Sequence, residues 1–142
     1  MDKKTMMNGK KDSAAFVPDF DQWKYELDAF IQLDAINKPS FKDVYQISEI
    51  DDSHSNLLIK QFKPTSKSPV TELKFFFLNH DKLKKIEASY LEENLMMTTS
   101  RNLTLEFDGD NVSETLTRYF VDGRQKMLFA SPVLYSVEGK VN

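Results

Sequence analysis

Asp51, Asp52 and His54, in the polar run Asp51-Asp52-Ser53-His54-Ser55, come nearest in type and spacing to a metal site. Carboxylate and imidazole suit Zn2+ or Mn2+, but neighbours on one loop do not close a coordination shell by themselves. The other histidine, His80, falls in a turn, away from any rigid element that could aim it into a cleft. Asp108-Gly109-Asp110 begins like a calcium loop. That pattern next needs an oxygen side chain, then a glycine, then a glutamate, where this chain has Val112, Ser113 and Tyr119. Glu92 and Glu93 form a carboxylate pair, yet adjacent residues of a strand face opposite ways and cannot share an acid–base site. The absence of cysteine excludes thiolate zinc, iron–sulfur clusters, disulfides and a cysteine nucleophile. Four glycines do not suffice for a phosphate-cradling loop, and the common nucleophile and nucleotide motifs are missing. The expectation is no catalytic residue, no metal and no cofactor, in a chain that is not an enzyme.

Function then has to rest on a surface, and a surface needs elements to present it. The composition, 40% hydrophobic with eleven Phe, is that of a folded chain with a core. The net charge of −3 argues against nucleic acid, and no apolar run is long enough to span a bilayer. Residues 1–17 mix Lys, Ser, Asn and Met without period and read as a flexible tail, ahead of a single α+β domain over 18–142. The first lysines are followed by no apolar stretch. That fits a cytoplasmic chain if Met1 is native, or a periplasmic or envelope one if an export signal has been removed.

Asp19 and Gln22 are spaced as a capping box. Phe20, Trp23, Leu27, Phe30, Ile31 and Ile36 recur at helical intervals, so an N-terminal amphipathic helix is expected until Asn37 and Pro39 end it. Ser40, Phe41, Val44, Tyr45 and Ser48 suggest a short second helix, although Tyr45, Ile47 and Glu49 also alternate as a strand would.

From residue 56 the period is two, and an antiparallel meander of six or seven strands follows. A turn at residues 79–82 sets Phe75 opposite Ile86, Leu73 opposite Ala88 and Lys74 opposite Glu87, with opposite charges supporting the register. Further turns are expected at residues 108–111 and at Asp122-Gly123, a two-residue type I′ signal. The phrase Tyr119-Phe-Val-Asp-Gly-Arg124 returns as Tyr135-Ser-Val-Glu-Gly-Lys140, which reads as one strand-end device used twice.

With the chain reversing at Asp122-Gly123, Phe120 lies opposite Gln125, Arg118 opposite Met127 and Leu116 opposite Phe129. Leu116, Phe120, Met127 and Phe129 would then line an apolar surface, with Arg118 placed to hold an anionic group. The chain reads as a non-catalytic binding or protein-interaction module using a sheet face or edge, with a homodimer through the last hairpin compatible.

A helix bearing Trp23, Leu27, Phe30 and Ile31, followed by a long meander ending in YSVEGK, resembles the curved-sheet domains of the bacterial cell envelope, such as lipoprotein-carrier half-barrels. Over residues 19–142 the resemblance implies a curved sheet under one amphipathic helix. It also implies the alternative function, a carrier of a small apolar or lipid-like ligand in a half-barrel groove.

Overall fold

A computed structural model of the chain describes residues 1–41, 43–108 and 115–141. Among the described residues nine strands form one antiparallel sheet: β1 Asp2–Met7, β2 Lys10–Ala15, β3 Tyr45–Asp52, β4 Leu57–Pro64, β5 Val70–Leu78, β6 Lys82–Glu93, β7 Met97–Asp108, β8 Thr115–Met127 and β9 Val133–Lys140. Their order is β2-β1-β9-β8-β7-β6-β5-β4-β3. The chain therefore meanders from β3 to β9 and closes with its own N-terminal hairpin, leaving β2 and β3 as the two edges.

The expectation of one long N-terminal helix on six or seven strands is corrected here. Helix α1 covers only Phe20–Glu26 and α2 only Asp28–Ile31, followed by 3-10 turns at Gln32–Asn37 and Pro39–Phe41. The capping box forms as expected: Gln22 N–H donates to Asp19 Oδ1 at 2.9 Å and Asp19 N–H to Gln22 Oε1 at 2.8 Å. What breaks the helix is apolar spacing. Phe30, Leu33 and Ile36 all pack on the core and recur every three residues, the period of a 3-10 helix, whereas a 3.6-residue turn would carry them progressively off the sheet. The expected second helix shrinks to Pro39–Phe41, because the alternation of Tyr45, Ile47 and Glu49 prevails and builds β3.

Residues 1–17, expected as a tail, supply β1 and β2. Asn8-Gly9 turns them, with φ of 50° and 86° and Met7 paired to Lys10, which is the geometry of a two-residue type I′ loop. β1 then docks antiparallel on β9, with Thr5 against Val137. Asn8 also binds the start of β9, since its N–H donates to Leu134 O at 2.8 Å while its Oδ1 accepts from Leu134 N at 2.9 Å.

The pairing of Leu73 with Ala88, Lys74 with Glu87 and Phe75 with Ile86 is present as the sequence indicates. The expected turn through Gly109, Asp110 and Asn111 lies outside the described residues. The turn at Asp122-Gly123 does not exist: both residues sit in mid-strand, Gly123 facing Arg101 on β7 and Tyr135 on β9. The five-residue surface built on that turn loses its register with it.

The core lies on the face covered by the helical strap, where Val70, Leu73, Ala88, Tyr90, Leu103 and Val121 are buried against Phe30, Leu33 and Ile36. The other face is largely polar and wears charge ladders, such as Lys74 with Glu72 at 3.0 Å and Arg118 between Glu138 at 2.7 Å and Glu106 at 3.9 Å. Such exposed pairs add little stability each; their role is to keep one side of a two-layer fold in water.

Candidate functional site

The repeated phrase is explained by the pairing of β8 with β9. Tyr119 stands opposite Gly139, Val121 opposite Val137, and Gly123 opposite Tyr135, so two copies of Tyr-x-Val-x-Gly run antiparallel and each tyrosine lies across the other copy's glycine. A Cβ at Gly139 would come within 2.1 Å of the Tyr119 ring, and one at Gly123 within 2.3 Å of the Tyr135 ring. Neither glycine has positive φ. They are glycines because an aromatic ring occupies the space of a side chain, a cross-strand device that fills the gap glycine leaves in a sheet.

Both rings point their hydroxyls under the strap. Tyr119 donates to Glu26 Oε2 at 2.7 Å, and Glu26 Oε1 accepts from Lys3 Nζ at 2.8 Å. Tyr135 accepts from Arg101 Nε at 2.9 Å, while Arg101 also donates to Gln32 and lies over the Tyr90 ring. Burial and then the Glu26 carboxylate push the Tyr119 hydroxyl far above the ordinary tyrosine range. Burial, assisted by Glu92, pushes Tyr90 up to about 12. Both therefore remain donors at any ordinary pH. A cleft of about 290 Å3 remains between Lys3, Glu26, Gln32, Arg101 and Tyr135. Its polar groups bind one another, which fastens the strap to the sheet.

The five residues singled out from sequence do not gather at one place. Arg118 and Phe120 share the open face, where Phe120 floors a hollow of about 550 Å3 flanked by Lys4, Lys11 and Met6. Leu116 pairs with Phe107 beyond a bulge. Met127 closes β8 opposite Met97, nine residues and roughly 30 Å along the strand from Arg118. Phe129 lies in the following turn. His80 Nε2 is 3.8 Å from Asp51 Oδ2 on an exposed rim, and among the described residues no group of three potential metal ligands converges.

Two of the five residues nevertheless belong to an unusual feature. Every second turn of an antiparallel meander falls at the same end of the sheet, which brings the β6–β7 turn beside the β8–β9 turn; Leu128 N–H donates to Met96 O at 2.8 Å across them. These two turns hold Leu95, 94% exposed, Met96, Met127, Leu128, and Phe129, 98% exposed; Met7 and Leu134 are exposed at the same end. Asn94 Oδ1 accepts from the backbone N–H groups of Met96 and Met97 and fixes the first tip. Phe129 is held at φ 62°, a conformation costly for a bulky side chain. The sequence signal was apolar residues where turns want polar ones, in Asn94-Leu-Met-Met97 and Met127-Leu-Phe-Ala-Ser131. No family model, curated protein or solved structure matches the chain.

Proposed function

We propose that the chain is a non-catalytic binding module that docks through the apolar rim of Leu95, Met96, Met127, Leu128 and Phe129. The observation that carries this reading is the near-complete exposure of Leu95 and Phe129 on two turns tied to each other. A contiguous exposed apolar patch is the ordinary mark of an interaction surface. Strain at Phe129 agrees with it, because a side chain held in an unfavourable backbone conformation is retained where its direction matters.

Replacing Leu95 and Phe129 together by serine should leave the melting temperature within a few degrees of the parent, since neither side chain is in the core. The same change should abolish most of the fluorescence of a hydrophobic-surface dye bound to the native protein. A large loss of stability, or unchanged dye binding, would remove the rim as a docking surface.

A further inference from the structure

We propose that the rim's occupant is the surface of an anionic lipid bilayer, into which Leu95, Met96, Leu128 and Phe129 insert; this rests on reading the rim as a docking surface. Shape and chemistry point the same way. The apolar groups project from the tips of two neighbouring turns instead of lining a groove, and none of the four side chains carries a hydrogen-bonding group. A protein partner would need a hollow complementary to those tips, whereas the acyl boundary of a bilayer accommodates them without one.

Charge supplies the second argument. At the rim end, Lys10 and Lys67 lie in or beside turns and Arg124 and Lys126 in the last residues of β8, against Asp43, Glu92 and Glu93. Among the described residues none of those four basic groups forms an ion pair, and Lys126 Nζ is bound only to Met127 O at 2.9 Å. At the opposite end Asp51 and Asp52 at the end of β3 and Asp81 in the β5–β6 turn are accompanied by Lys82, Lys84 and Lys140. Behind the apolar tips, a chain of net charge −3 thus presents basic groups that no carboxylate among the described residues neutralises by direct contact. An anionic leaflet would attract these unpaired basic groups, orienting the strands' rim-end tips toward lipid.

The test is co-sedimentation of the full chain with vesicles of phosphatidylcholine alone and of phosphatidylcholine mixed with phosphatidylserine. The protein should pellet with the mixed vesicles at low ionic strength, bind phosphatidylcholine alone at least about fivefold more weakly, and release as salt rises. Leu95→Ser with Phe129→Ser should weaken binding about tenfold or more at unchanged melting temperature. Arg124→Glu with Lys126→Glu should erase the preference for phosphatidylserine. Folded protein that stays in the supernatant with mixed vesicles, or serine variants that pellet like the parent, would overturn the proposal. If vesicles fail while the serine variant still loses dye binding, the bilayer is the wrong occupant and the docking surface stands. If dye binding is also unaltered, both fall.

Discussion

Gly139→Ala should lower the melting temperature by roughly 10 °C, the equivalent of about 3 kcal/mol in a chain of this size, and Gly123→Ala by clearly less. The two added methyl groups are chemically identical and both meet a tyrosine ring, at 2.1 Å and 2.3 Å respectively. What separates them is whether the ring can yield. Tyr119 is 0% exposed, bound to Glu26 and met edge-on by Phe30 at 6.5 Å between ring centroids, so it has nowhere to go. Tyr135 is only half-buried and borders the cleft under the strap, into which its ring can shift. Removing the obstacle should rescue the change: Tyr119→Val combined with Gly139→Ala should cost less than the sum of the two single substitutions. Additive losses in that cycle, read from denaturant unfolding, would mean the ring and the glycine are not in contact.

Glu26→Ala should cost about 2–4 kcal/mol in the same measurement, a large loss for one residue of a seven-residue helix in which no residue is buried as a whole. Its carboxylate lies between the Lys3 ammonium and the Tyr119 hydroxyl, with side-chain exposures of 18% for Lys3 and 7% for Glu26. Deleting it strands both partners away from water. Glu26→Gln keeps an oxygen acceptor and should lose less, and adding Lys3→Met to Glu26→Ala should recover part of the deficit. Because Lys3 is on β1 and Glu26 on α1, the deletion should also speed amide exchange in β1, linking the strap to the hairpin. A change under about 0.5 kcal/mol would show that water replaces the carboxylate and that the contact is a surface pair.

How much of this was legible in the sequence depended on whether a signal was local. The β5–β6 register was readable because alternation, a short turn and a Lys–Glu pair agreed within eighteen residues. Asn8-Gly9 is the strongest two-residue hairpin signal in the chain. It stands alone, because Lys and Met around it carry no alternation: β1 and β2 are held by backbone pairing and by a distant strand, β9. Asp122-Gly123 carries the same kind of signal and is mid-strand, because the tyrosine that claims the glycine's space comes from the next strand, out of reach of local reading. That one error displaced every partner assigned to Leu116, Arg118 and Phe120. In the strap, the capping box fixed the helix start, while spacing by threes, visible at Phe30, Leu33 and Ile36, marked where the α-helix would give way. Met127 and Phe129 read as surface residues through a turn at Asp122-Gly123 that does not form. Their exposure comes from the turn after β8, and their neighbours Leu95 and Met96 arrive only through the β7–β8 pairing.

The measurement that addresses the account most directly is nuclear Overhauser contact in the β8–β9 pair. Gly139 Hα should contact the Tyr119 ring, Gly123 Hα the Tyr135 ring, and both should be shifted upfield by the rings above them. Contacts between Phe120 and Gln125, with rapidly exchanging amides at Asp122 and Gly123, would place a hairpin turn there instead and contradict the nine-stranded arrangement.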